Sequence, residues 1–519
     1  MYTLGLLLLP LLGTLVRAAN YSAPLRPQVH FSPPHGFMND PNGLHYDSKR
    51  GVYHYYYQLN PAKLEAGDQH WGHATSPDLY HWTNQQVAIK PENKSTLIFS
   101  GSAVVDSENT SGFFPNQTNG VVAIYTADMP AVQNQHIAYS TDGGYTFVKY
   151  SGNPVINSTT TDFRDPKVFW HSETRKWVMV VSWAADLKIG IYTSPNLKDW
   201  TPASNFTQKG LPGGQFECPN LVRFPVGNST TKDVLFISVN PGAPMGGSGT
   251  YYLAGNFNGT HFKPDSKNYT VLDFARDNYA VQFFSNPANG SKPISMSWAS
   301  NWDYTNEVPT AGEGWRGAAT VPHEHSLKKV NGNWVVTRMP FKDLAVMKEK
   351  RMEITMLNQS EVSVDLSDVN SNAIYFDVAV KGLSPNATGD VSFNFTSSRS
   401  DEYLDGALHL DNGTFWMNRA GTHGFTSKDN GNFTSKFNTT VSASKSGKIE
   451  FSALFDRSVF EVFVQNGTQS GTMVFYPTKT LDILTFNVER LAKNATVDIE
   501  VWGLKSGWTN STANYTRGA

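Results

Sequence analysis

The chain is 519 residues long, with 17% charged residues and a formal net charge of -2. That length accommodates more than one domain, and the near-neutral balance argues against nucleic acid or an anionic membrane as partner. Aromatic residues make up 13%, among them 13 Trp and 22 Tyr; such rings stack on sugar C–H faces, but they also fill cores.

The first 19 residues, "MYTLGLLLLPLLGTLVRAA", hold an apolar run too short to span a bilayer, followed by Ala18 and Ala19. This reads as a secretory signal peptide, although Arg17 lies near the expected cleavage point and no basic residue precedes the run. Dense N-x-[ST] sequons, such as Asn109, Asn157, Asn258, Asn394 and Asn494, predict a protein that is secreted, extracellular or cell-wall associated, and carries N-linked glycans. No later segment is apolar enough for a membrane span. Cys218 is the single cysteine, which rules out an intrachain disulfide and reads as a small buried hydrophobe.

Up to about residue 340 the sequence alternates short β-branched and aromatic runs with Gly, Asn, Asp and Pro, as in "VYHYYYQLN", "GVVAIYTAD" and "KWVMVVSWA", an all-β pattern. Two repeats run through it. "ATSPDLYHW", "AYSTDGGYTF", "IYTSPNLKDW" and "LAGNFNGTHF" each end a strand, turn, and restart on an aromatic residue, closing at Trp82, Phe147, Trp200 and Phe262. In phase with them, "DPNGLHY", "FSGSAVVD", "DPKVFW", "ECPNLVRF" and "DNYAVQFF" start near 40, 101, 165, 217 and 277. Five units of about four strands predict a five-bladed β-propeller over residues 20–338. The first strand of each blade would line a central channel and bring Asp40, Asp165 and Glu217 to one mouth. Residues 339–359 read as a linker, and the alternating strands from 360 to 519 as a β-sandwich.

Converging carboxylates can bind a hard cation, pair with basic residues, or do acid–base chemistry. "DPNGLHYD" lacks a calcium-loop pattern, so no metal is expected. Taken alone, Asp165 reads as an ion-pair partner of Arg164, and Asp40 as a turn cap. Together the three acids suit glycoside hydrolysis, which needs a carboxylate and a carboxylic acid across the scissile bond. Asn39 and Asn42 can hold Asp40 ionised as nucleophile, while Phe216, Cys218 and Pro219 can desolvate Glu217 as the acid.

"FMNDPNG", "FRDP" and "ECPN", in that order, resemble the signature blocks of glycoside hydrolase family 32. "HFSP", "YQLNP", "WGHATS", "FSGS" and "WASNW" fit as well, and "NPGAPMGGSGTYYLAGNFNGTHF" is similar to secreted fungal and yeast invertases. The resemblance implies retaining cleavage of terminal β-D-fructofuranosides, sucrose above all, with no cofactor. Asp40 would be the nucleophile, Glu217 the acid/base and Asp165 the transition-state stabiliser. Asn39, Asn42, Gln58, Trp71, Phe99, Ser100 and Arg164 would contact substrate, with Trp302 and Trp315 as aromatic walls or, equally, core residues. Exo-inulinase, levanase and fructosyltransferase activities stay open, as does a homo-oligomer. An inactive sugar-binding propeller would have no use for three intact acids. Phe37, Leu59, Asn220 and "AGEGWRG" (311–317) depart from the family pattern and are expected to line the acceptor region, where they would favour fructosyl transfer.

Overall fold

The structure is a computed structural model that describes residues 19–227, 230–288 and 291–508. The expected signal peptide therefore falls, except for Ala19, outside the described residues. The protein is all-β, with only two short 3-10 turns among the described elements. Five antiparallel sheets follow one another in the chain. Their first strands, called lead strands here, are Gly36–Asp47, Leu97–Val105, Phe163–His171, Phe216–Pro225 and Tyr279–Phe283. Each lead strand packs against the next, and the fifth against the first. Trp315–Arg316, from within the fifth unit, adds a short parallel strand to Gly36–Phe37 of the first sheet. The second strands, such as Val52–Asn60 and Lys176–Trp183, are buried along nearly their whole length. Their unbroken apolar and aromatic runs follow from sheets covered on both faces.

The turn repeat has one physical cause. In all four copies the Oδ1 atom of an Asp or Asn accepts backbone N–H groups two to four residues ahead, an Asx turn. Asp78 takes Tyr80 and His81, Asp142 takes Tyr145 and Thr146, Asn196 takes Lys198 and Asp199, and Asn258 takes Thr260 and His261.

Two six-stranded sheets complete the chain and share one apolar core, in which Phe395 and Phe455 stack with centroids 4.2 Å apart. The stretch 339–359, expected as a linker, instead contributes the strand Lys348–Met356, an edge of the first of these sheets paired with Thr496–Leu504. Its charged residues reflect the exposed position of an edge strand.

The junction between the five-sheet part and the six-stranded sheets is ionic as well as apolar. His30 bridges Asp456 and Glu461 at 2.9 Å each, and His323 Nε2 donates to Glu461 at 2.7 Å, all four side chains being buried. Burial opposes charge on His30, yet its two carboxylate partners outweigh it and raise the imidazole to about 9. Arg419, from the second six-stranded part, pairs with Asp277 at 2.8 Å, with both side chains fully buried. Asp277 also accepts the Val474 N–H at 2.9 Å and the Tyr304 hydroxyl. Removing one member of such a pair strands the other charge, so Asp277→Ala is expected to cost about 3–5 kcal/mol. Denaturant unfolding checks this, and a loss under about 1 kcal/mol would show that water reaches Arg419.

Candidate active site

All five lead strands carry the same irregularity at the same height. Two residues there oppose one on the neighbouring strand: Asn39–Asp40, Phe99–Ser100, Asp165–Pro166, Cys218–Pro219 and Ala280–Val281. Such bulges re-aim side chains out of the pleat. Asp165, Cys218 and Ala280 adopt positive φ of 65°, 46° and 54°. The bulge also explains Pro166 and Pro219, since a bulged residue has no ladder hydrogen bond to lose, whereas Pro41 directly follows its bulge and stands opposite Tyr57. In the second strand Gly101 takes the place of that proline, because a Cβ there would lie 2.0 Å from the Ile124 carbonyl oxygen.

The bulges bring the three acids together. Asp40 accepts a hydrogen bond from Ser100 Oγ at 2.7 Å and from Asn39 Nδ2 at 3.0 Å. Asp165 accepts the Cys218 backbone N–H at 3.0 Å. The Cys218 thiol lies between the two, with Sγ 3.4 Å from Asp40 Oδ2 and 3.6 Å from Asp165 Oδ2. Cys218 is buried in an apolar cluster, as expected of a lone cysteine, and is in addition a contact shared by two carboxylates.

Glu217 has a different setting from the one expected. Phe216 points away into the core between the third and fourth sheets, and Cys218 serves the other two acids. Glu217 instead takes Arg164 Nε at 3.0 Å and Nη2 at 2.8 Å, and the Tyr279 hydroxyl donates to its other oxygen. Arg164 also donates to Gln215 at 2.6 Å. Its hydrogen-bonded acid is therefore Glu217 rather than its sequence neighbour Asp165, which takes the Cys218 N–H instead. Tyr279 was missed as a site residue, although it opens the fifth repeat unit.

Electrostatics follow from this crowding. Burial raises the Asp40 carboxyl above its ordinary value, and the Glu217 charge adds to this against the hydrogen bonds from Ser100, Asn39 and Cys218. Asp165 is pushed up to about 7, first by burial and then by Glu217 and Asp40, with Arg164 opposing. Of the two buried aspartates, Asp165 is the one that burial and its carboxylate neighbours press furthest toward the protonated form.

The other expected contacts divide into two groups. Gln58, opposite the Asn39–Asp40 bulge, is 2% exposed, and neither of its amide atoms has a hydrogen-bond partner. Asn39 Oδ1 is also without a partner. Trp302 is half-buried, with centroids 4.8 Å from Trp298 and 6.0 Å from Phe37. These groups, with Phe99, can meet a polyhydroxyl ligand. Trp71, Asn42 and Trp315 stand behind them. The Trp71 indole is fully buried and donates to the Phe99 carbonyl at 3.0 Å. Asn42 Oδ1 accepts the Gly101 N–H at 3.1 Å rather than holding Asp40. Trp315 is 2% exposed, donates to Glu313, and lies under the Arg26 guanidinium, so it is a core residue.

Of the departures from the family pattern, only Phe37 stands in the aromatic cluster with Cys218, Tyr279 and Trp302. Leu59 belongs to a core cluster. Asn220 ties two lead strands together through Val281 O and Phe283 N at 2.8 and 3.2 Å. Neither can line an acceptor region.

The N-terminal domain of glycosyl hydrolases family 32 matches residues 30–338 and the family's C-terminal domain matches 344–503. An invertase of Debaryomyces hansenii is 38% identical over 91% of this chain and 92% of its own length. An extracellular exo-inulinase of Meyerozyma guilliermondii is 38% identical over 87% and 90%. The structure of β-fructofuranosidase from Schwanniomyces occidentalis complexed with fructosyl-erythritol superimposes with a TM-score of 0.85 at 32% identity, covering 93% of this chain and 98% of that one. Three acids gathered by one repeated bulge, in a chain that both family domains span almost end to end, make this protein a glycoside hydrolase belonging to family 32.

Proposed function

We propose that the protein is a secreted, glycosylated, retaining β-fructofuranosidase that cleaves sucrose. Its catalytic part would be a five-bladed β-propeller, supported by five sheets whose lead strands pack in a cycle. The β-sandwich would begin at Lys348, leaving only 341–347 as a connection. Secretion is supported by the extracellular relative and by sequons such as Asn157, Asn258 and Asn494, which are exposed; Asn109 and Asn394 are half-buried.

One observation carries the catalytic reading: Asp40 and Asp165 share Cys218, whose neighbour Glu217 faces the same space, paired with Arg164. In this reading Asp40 attacks C2 of the fructosyl unit while Glu217 protonates the departing glycosidic oxygen. Water then enters, Glu217 removes its proton, and the fructosyl–Asp40 ester is cleaved with net retention. Asp165 and Arg164 hold the ring hydroxyls, and Asn39, Gln58 and Phe99 complete the fructosyl pocket. Ser100 and Cys218 orient the Asp40 carboxylate.

Time-resolved NMR on sucrose tests the proposal. The first fructose formed is expected to be the β-furanose with an equimolar amount of glucose; the α anomer appearing first, or no glucose at all, would refute it. The same experiment on concentrated sucrose reads fructosyl transfer; Phe37 is fully buried and can act on it only by setting the position of Trp302. Inulin and levan, assayed alongside, rank the chain against its exo-inulinase relative.

A further inference from the structure

The lead strands have two ends. The acids occupy one, and the opposite ends of the second to fifth lead strands enclose a pocket of about 560 Å³, within the range of small-molecule sites. Its walls are largely apolar, formed by Val104, Phe169, Leu221, Phe257 and Phe283, and the Trp170 indole, 41% exposed, stands among its lining residues. Lys167 also lines it. This side chain crosses from the third lead strand to donate one of its three N–H groups to the Phe283 carbonyl on the fifth, and it is only 5% exposed. Among the described residues no carboxylate pairs with it, and burial alone lowers its ammonium to about 7. The other charges lining the pocket are largely engaged. Arg223 pairs with Asp233 at 3.0 Å and with Glu173, His171 lies 3.4 Å from Glu173, and Asp106 takes hydrogen bonds from Thr110 and Ser111; Glu108 is exposed.

An ammonium buried in an apolar pocket without a counter-charge is costly unless something supplies the anion. We infer that this second mouth binds an aliphatic monocarboxylate, with its carboxylate on Lys167 Nζ and its chain against Phe169, Phe257 and Trp170. The chemistry selects a single negative charge on an apolar body. A sugar would bring no charge to Lys167, and a bare inorganic anion would leave the phenyl walls unfilled.

Isothermal titration of the full chain with decanoate, hexanoate and 1-decanol tests the inference. Decanoate is expected to fill one saturable site, more tightly than hexanoate, because each buried methylene adds to affinity. Lys167→Met should weaken decanoate by about tenfold or more while leaving 1-decanol unchanged. Trp170→Ala, at an exposed side chain, should weaken decanoate and 1-decanol alike. A wild-type protein with no saturable decanoate binding overturns the proposal. So does a Lys167→Met variant that melts cooperatively and keeps wild-type decanoate affinity, which would reduce Lys167 to a tie between two strands. If Lys167→Met does not fold, the chain-length series on wild type and Trp170→Ala decides: affinity independent of both chain length and Trp170 refutes the site.

Discussion

Asp40→Ala is expected to abolish sucrose cleavage, lowering kcat by at least about 10⁴-fold, the order seen when a covalent nucleophile is removed. No neighbour can replace it. Ser100 Oγ and Cys218 Sγ both contact the Asp40 carboxylate, but they are neutral groups, and burial pushes the Cys218 thiol well up, away from the reactive thiolate. The fold should not suffer. Asp40 is 8% exposed and its pKa is raised by burial, so its ionised form is already disfavoured where it stands. Deleting a buried carboxylate from a crowd of three relieves repulsion, and the melting temperature should hold or rise, as when an active site trades stability for chemistry. Glucose release and scanning calorimetry check the two halves separately. Activity within about tenfold of wild type would remove Asp40 from the role of nucleophile.

Glu217→Ala is expected to cost about 10²–10⁴-fold on sucrose, the usual worth of a general acid. The deficit should shrink sharply on a fructoside whose leaving group departs without a proton, such as a nitrophenyl fructoside. Equal losses on both substrates would instead assign Glu217 to binding. A second readout comes from Glu217→Gln. Asp40 is raised by burial and, in addition, by the Glu217 charge. Removing that charge lowers the Asp40 pKa, so the acid limb of activity on the activated substrate should move to lower pH. An acid limb that stays in place would mean the two carboxylates do not sense each other.

Much of this site was legible because the signals were local. Proline after Asp40, Asp165 and Cys218 marks the bulge or the residue just past it, and Asp or Asn at a fixed offset before an aromatic marks the turn. Both recur with the unit, so the sheet order and the gathering of the acids could be read from spacing. What could not be read depends on which way a bulge faces. Adjacent residues 217 and 218 serve different partners, and Arg164 reaches across to Glu217 instead of its neighbour. Proximity in sequence therefore misassigned both the desolvation of Glu217 and the partner of Arg164. Tyr279 was missed, and Leu59 and Asn220 misplaced, for a related reason: their positions are set by packing between sheets, which carries no short-range mark. The strand at Lys348 was hidden by its charges, because an edge position removes the apolar alternation by which strands are recognised.

The backbone N–H groups of Gln28, Val29 and His30 all terminate on Asp456, some 426 to 428 positions further along the chain. During synthesis, Gln28, Val29 and His30 must wait for Asp456 to emerge before they can dock. Until then the buried face around Phe31 and Trp82 has no cover from Tyr375 or Leu454, so a nascent or truncated polypeptide ending before that point would present a sticky surface to chaperones and invite clumping.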